Sequence, residues 1–177
     1  MKEQFIHIDE DGDKFYYSDR EMKILHRVDG PAVEYVNGSK YWYLNDKLHR
    51  EDSPAIEYAE GYKAWHLNGK RHREDGPAVE YECGYKEWWI DGEVHREDGP
   101  AIEYEDGSKS WYLNGKRHRE DGPAIEWVDG PTYKAWYLNG DELTEEEFNA
   151  RMNPVELTLD EIAKKFGVSV DQLKIKK

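Results

Sequence analysis

Apolar and polar residues alternate in short runs broken by glycine-containing turns, and the runs recur with a step of 23 residues. The cleanest copy is Gly99 to Asp121, GPAIEYEDGSKSWYLNGKRHRED. There Ile102 and Tyr104 flank Glu103, and Trp111 and Leu113 flank Tyr112. Period-two alternation between turn signals predicts β-strands. The same step links His26, His49, His72, His95 and His118, the arginine after each of them, and Pro31, Pro54, Pro77, Pro100 and Pro123. It also links Trp42, Trp65, Trp88 and Trp111, and Trp136 follows two residues late, after an insertion at Asp129-Gly130-Pro131-Thr132. A fixed period of this length marks a repeat array.

Each unit carries two turn signals. Asn37-Gly38 and Asp106-Gly107 suit a type I′ hairpin turn, in which both central residues need positive φ. Glu60-Gly61 and Cys83-Gly84 hold the same place with weaker turn chemistry. The second signal is Asn68-Gly69, Asp91-Gly92, Asn114-Gly115 or Asn139-Gly140. Two turns predict two strands per repeat. A two-residue turn at Asp106-Gly107 sets Ile102 opposite Trp111 and Tyr104 opposite Lys109. By the same register Val33 faces Trp42, Ile56 faces Trp65 and Val79 faces Trp88. Val/Ile, Tyr, Trp and Leu then share one face. The other carries Ala, a row of Glu34, Glu57, Glu80, Glu103 and Glu126, and a variable row of Tyr43, His66, Trp89, Tyr112 and Tyr137. A coil with one turn per repeat would stack like charges ~4.8 Å apart, whereas a meander spaces them ~9.6 Å apart. The expected fold is therefore mostly β, an elongated antiparallel hairpin sheet of about ten strands, ~48 Å long and twisted.

The ends differ from the repeats. Residues 1–25 read as a degenerate capping hairpin, 26–140 as five 23-residue β-repeats, and 141–177 as a helical segment. Asp9, Asp11 and Asp13 imitate the start of a calcium loop, but Lys14 and Arg20 stand where that loop needs Gly and Glu, so the segment reads as an acidic turn. Thr144 with Glu147 and Thr158 with Glu161 are capping boxes, Leu143 with Phe148 forms a hydrophobic staple, and Asn153-Pro154 stops the first helix. Leu159, Ile162, Ala163 and Phe166 share one helix face, ended by Gly167. The bland reading is a cap on the last strand. The sharper one is that Thr158 to Leu173 resembles the start of a helix-turn-helix, with Lys174, Lys176 and Lys177 at a basic tip.

Composition narrows the function. Lys plus Arg is 25 against 39 Asp plus Glu, a net charge of -14, which repels nucleic acid and anionic lipid and leaves basic proteins as partners. The 7 Trp and 13 Tyr argue against disorder despite a hydrophobic content of 37%. A single cysteine, Cys83, allows no intrachain disulfide, and no segment resembles a leader or a membrane span, so the expected setting is a reducing cytoplasm. In that setting the sequon Asn37-Gly38-Ser39 goes unglycosylated. The recurring His-Arg-Glu-Asp offers a base and two carboxylates. Identical groups in every repeat are what a structural constraint produces, whereas a catalytic site is a unique constellation. The expectation is that the Asp accepts turn amides and the Arg pairs with a neighbouring repeat's carboxylate. No catalytic residue, metal site or cofactor is assigned.

The run Trp111-Tyr112-Leu113-Asn114-Gly115-Lys116-Arg117-His118, with its downstream Asp-Gly, resembles the MORN repeat over roughly residues 26–140. It departs where Arg-Glu-Asp stands between the His and Gly-Pro. The His-Arg-Glu-Asp-Gly-Pro-Ala form is also similar to repeats in uncharacterised phage and bacterial proteins. The resemblance implies elongated hairpin sheets and an assembly or scaffold role. The leading expectation is a non-enzymatic scaffold that binds a protein through an aromatic and acidic sheet face. Its candidate residues are Tyr43, His66, Trp89, Tyr112 and Tyr137, with Glu57, Glu80 and Glu103. The alternatives are a phage-encoded inhibitor acting in host cytoplasm as a nucleic-acid mimic, and a DNA-binding regulator using the C-terminal helices. An open sheet edge would also allow two copies to pair.

Overall fold

Both turns of each repeat form, and they differ in type. In the computed structural model, which describes residues 4–128, 130–154 and 156–174, the second turn is the primed one. Asn114 and Gly115 take φ of 51° and 73°, and Leu113 pairs with Lys116 across them. At the first turn only the glycine is left-handed, with Gly107 at φ 87°. The Gly107 N–H donates to the Tyr104 carbonyl, and the Tyr104 N–H donates to the Ser108 carbonyl, both at 3.0 Å. The loop is therefore three residues long, a β-turn plus a glycine bulge. The Asp106 carboxylate steadies it by accepting the Ser108 N–H at 2.8 Å.

That extra residue corrects the expected register. Ile102 lies opposite Ser110 and Glu103 opposite Lys109. Likewise Val33 faces Tyr41, Ile56 faces Ala64 and Val79 faces Glu87, in place of the tryptophans. A one-residue slip exchanges the faces of a strand. The tryptophans therefore join the glutamates, and the Tyr43 row joins the valines, isoleucines and tyrosines.

A second correction concerns the number of strands. In the last repeat, Tyr133–Leu138 is one strand whose first half pairs with Ile125–Trp127 and whose second half pairs with Asp141–Leu143. Earlier repeats break this strand at the tryptophan. Lys109–Ser110 stays in the long sheet, and Tyr112–Leu113 folds back on a third short strand, Lys116–Arg117. The long sheet has 13 antiparallel strands, from Phe5–Ile8 to Asp141–Leu143, in an order that follows the chain. Equivalent strands of successive repeats sit two places apart, as in a meander. The small hairpins form a second row stitched through their turns. The N–H groups of Gly69, Gly92, Gly115 and Gly140 donate to Leu48, Arg71, Val94 and Arg117 at 2.8–2.9 Å.

The core is thin and lies on both faces. Ala32, Ala55, Ala78, Ala101 and Ala124 are completely buried. Val79 clusters with Ile56 and Ala64 on the opposite face, with Tyr41, Leu48, Tyr62 and Trp89 packed around them. On the tryptophan face each repeat closes with an arginine. Arg73 stacks 4.0 Å over the Trp65 ring, donates through Nη1 to the Pro77 carbonyl and Glu80, and donates through Nε to Asp75. The stack and the Nη1 bonds recur at Arg27 over Tyr16 and at Arg50, Arg96 and Arg119 over Trp42, Trp88 and Trp111, and the Nε bond to Asp recurs at Arg27, Arg96 and Arg119. The Arg–Glu pairing matches the expectation. The Asp does not, because Asp75, Asp98 and Asp121 accept from their own arginine, which holds their carboxyls below the ordinary range. A Cβ on Gly76 would lie 2.9 Å from the Arg73 guanidinium carbon, so a side chain there must displace the arginine's tip slightly. Where Ser53 takes that place, Arg50 keeps its stack and its Glu57 bond.

At the N-terminal end, Phe5–Ile8 and Lys14–Tyr17 form the capping hairpin, and Asp9 accepts the amides of Asp11 and Asp13 across the acidic turn. At the other end, helix α1 (Glu145–Met152) is capped by the Thr144–Glu147 box and lies against the last two strands, with Leu143 and Phe148 buried. Helix α2 (Leu159–Phe166) has the Thr158–Glu161 box and Gly167 at φ 66°. Its Phe166 is 70% exposed. Beyond Gly167 the chain makes a single 3-10 turn, Val170–Gln172, so the second helix of the expected helix-turn-helix is absent among the described residues. Lys176, Lys177 and Asp129 of the insertion lie outside the described residues. No helix among those described is long and apolar enough to cross a membrane.

Candidate functional site

Tyr35, Tyr58, Tyr81, Tyr104 and Trp127 recur at the repeat step, the four tyrosines each where a strand enters the three-residue turn. Alternation puts them on the valine face. Between them stand Tyr41, in a strand, and Tyr62 and Tyr85, each just before one, and the rings touch in one continuous line. Centroids are 6.3 Å apart from Phe15 to Tyr35 and 4.7–5.8 Å apart from there to Trp127. Tilted and edge-on pairs at these distances are favourable. The row remains open to solvent, with Tyr35, Tyr58 and Tyr81 at 37%, 41% and 47% exposure. It is densest in the middle. At its ends Ser39 and Ser108 stand in place of Tyr62 and Tyr85, and their hydroxyls accept the Ala59 and Val128 amides.

Glu87 is set into this face. Its carboxylate accepts from the Tyr85 hydroxyl at 2.5 Å, the Trp89 indole at 2.6 Å and Arg71 at 3.1 Å. Burial, then the hydrogen bond to Glu87 and its charge, raises the Tyr85 hydroxyl above the usual tyrosine range, so it remains a donor. Beside it lies a shallow open groove of about 840 Å³ lined by Tyr81, Cys83, Tyr85, Glu87, Tyr104, Glu105 and Asp106. Aromatic walls below acidic turns suit a cationic or apolar guest.

The expected site residues divide between the two faces. Tyr43, Trp89 and Tyr112 are half-buried on the tyrosine face, where His66 and Tyr137 are buried. Glu57, Glu80 and Glu103 lie on the tryptophan face, each held by Arg50, Arg73 or Arg96 at 2.8–3.1 Å. They are partnered structural anchors, not a free acidic row. Sequence reasoning misses the row at Tyr35, Tyr58, Tyr81 and Tyr104 because its regular recurrence beside Val and Ile reads as core. The recurring histidines are also structural. Nδ1 of His49, His72, His95 and His118 accepts the turn amide of Asn68, Asp91, Asn114 and Asn139, at 3.1–3.2 Å, and so ties successive hairpins together. Among the described residues, no group of three or more His, Cys, Asp or Glu could hold a metal ion.

His66 carries a pH prediction. It is 7% exposed and its Nδ1 has no hydrogen-bond partner among the described residues. Burial, opposed by a backbone hydrogen bond and reinforced by Arg71, lowers its pKa from 6.5. As pH falls through 6.5 the unfolded chain takes up this proton before the folded one, so stability declines below that pH. His66→Tyr, the residue of Tyr43 and Tyr112 in other repeats, removes this part of the decline. Denaturant melts at pH 7.5 and about 5.5 check it. An unchanged pH slope in the variant would assign the decline to other groups.

The chain matches no protein-family model and no curated protein.

Proposed function

We propose that the chain is a non-enzymatic, MORN-like repeat scaffold that docks a protein partner on its tyrosine face. The observation that carries this reading is the continuous, partly exposed aromatic row. A run of tyrosines spends apolar area on solvent unless a partner covers it. Tyrosine also gives large contact area at low entropic cost. A sheet bonded strand by strand holds the row rigid, which lowers the cost of binding. The partnered state of Glu57, Glu80 and Glu103 weighs against nucleic-acid mimicry by that row.

Cys83 provides the test, because it is exposed at the groove and is the chain's one cysteine. A partner captured by the intact chain from cell extract, then purified, should bind about tenfold more weakly after Cys83 is capped with a bulky maleimide. Arg119→Lys, on the other face, should leave that affinity unchanged. If capping has no effect and changes on the tryptophan face do, the assignment of the face is wrong.

A further inference from the structure

Resting on that reading, we propose that the tyrosine face takes a basic, proline-rich segment in polyproline II conformation, laid across the strands in step with the repeats. The spacing leads to this. Equivalent tyrosines stand two strands apart, ~9.6 Å. A polyproline II chain rises ~3.1 Å per residue and turns once every three residues, so every third side chain returns to the same side after ~9.3 Å. Over the three steps from Tyr35 to Tyr104 the two periods drift apart by only ~1 Å. An extended β-strand presents alternate residues and an α-helix repeats every ~5.4 Å, so neither keeps this step.

The chemistry agrees with the spacing. The strands under the row are hydrogen-bonded on both sides within the sheet. They leave no edge for a guest strand to join. The guest must need no main-chain partners, as a polyproline II chain does not. Proline rings pack on tyrosine faces in such grooves. Acids gather along the middle of the row, with Glu60, Glu82, Glu105 and Asp106 exposed at the turns. An arginine or lysine at each third position can lie over a tyrosine ring and reach a turn carboxylate. The same acids repel a single-stranded nucleic acid, the other ligand that stacked aromatics attract.

The test is calorimetric titration of the full chain at physiological salt. The probes are five Pro-Pro-Arg triplets, five Gly-Gly-Arg triplets, five Pro-Pro-Pro-Arg quartets and a deoxythymidine strand of similar length. The triplet peptide should bind about tenfold or more tighter than the glycine and quartet peptides, which share its charge but lack its stiffness or its step. Tyr58→Ala with Tyr81→Ala should weaken it about tenfold or more. Glu82→Lys with Glu105→Lys, both on exposed turns that fold without them, should do the same. Equal binding of the proline and glycine triplets, or indifference to both pairs of changes, would reduce the effect to bulk charge and overturn the proposal. So would absence of triplet binding, or tyrosine-dependent binding of the nucleic acid. None of these would touch the wider reading, because the Cys83 capping test would still report whether a folded partner uses this face.

Discussion

Arg73→Ala should lower the unfolding free energy by about 3 kcal/mol, in three parts. The stack over Trp65, 4.0 Å from the ring centre and largely shielded, contributes about 1 kcal/mol. Losing the Nη1 bond to the Pro77 carbonyl costs about 1 kcal/mol. The pair with Glu80 adds about another 1 kcal/mol, discounted because the Glu80 side chain is 33% exposed. Arg73→Lys keeps the charge but neither the planar fork nor the ring stacking, so it should recover about a third of the loss. Urea melts followed by tryptophan fluorescence measure both. A cost under about 1 kcal/mol for the alanine would make the arginine a surface ornament. It would also remove the account of why the His-Arg-Glu-Asp run recurs. In an array the damage should also be local, because each repeat touches only its neighbours. Hydrogen exchange should therefore rise first around Trp65, Ala78 and Glu80.

Ala78→Leu should cost about 3 kcal/mol by the opposite means. Ala78 is completely buried, and its carbonyl accepts the Trp65 N–H at 2.8 Å, so the backbone beneath it cannot move away freely. A branched side chain added there presses on the sheet from the tryptophan side. The matching change Ala59→Leu, on an exposed turn, should stay within about 0.5 kcal/mol. Thermal melts of the two proteins separate the cases. Equal stabilities would mean that the alanine row is tolerated, not required.

Much of this fold is legible in the sequence because turn and cap chemistry is local. Two turns per unit, the meander, the capping boxes at Thr144 and Thr158, and the Arg–Glu pairing all arise from residues near one another along the chain. The register is not legible in the same way. Asn-Gly and Asp-Gly fit both a two-residue primed turn and a three-residue loop in which only the glycine is left-handed. The discriminating sign lies in the other repeats. Glu60 and Cys83 precede the first-turn glycine, and neither residue favours positive φ, whereas the second turn always offers Asn or Asp. That contrast adds one residue to the first loop and moves Trp65 and its equivalents to the arginine side. The candidate site suffers most from the slip. The two-residue register joins Tyr43, His66, Trp89, Tyr112 and Tyr137 to Glu57, Glu80 and Glu103, which the sheet separates. The fold-back of Tyr112–Leu113 onto Lys116–Arg117 is hidden for a different reason. Where a strand bends from one pairing partner to another depends on packing at Trp111, which no local pattern records.

The most direct test of the tyrosine face is hydroxyl-radical footprinting of the chain, free and bound to its purified partner. The account predicts protection at Tyr35, Tyr58, Tyr81 and Tyr104, with Trp42, Trp65, Trp88 and Trp111 unchanged on the opposite side. Protection of those tryptophans and of the histidine loops, with the tyrosines still reactive, would contradict it and move the partner to the arginine face.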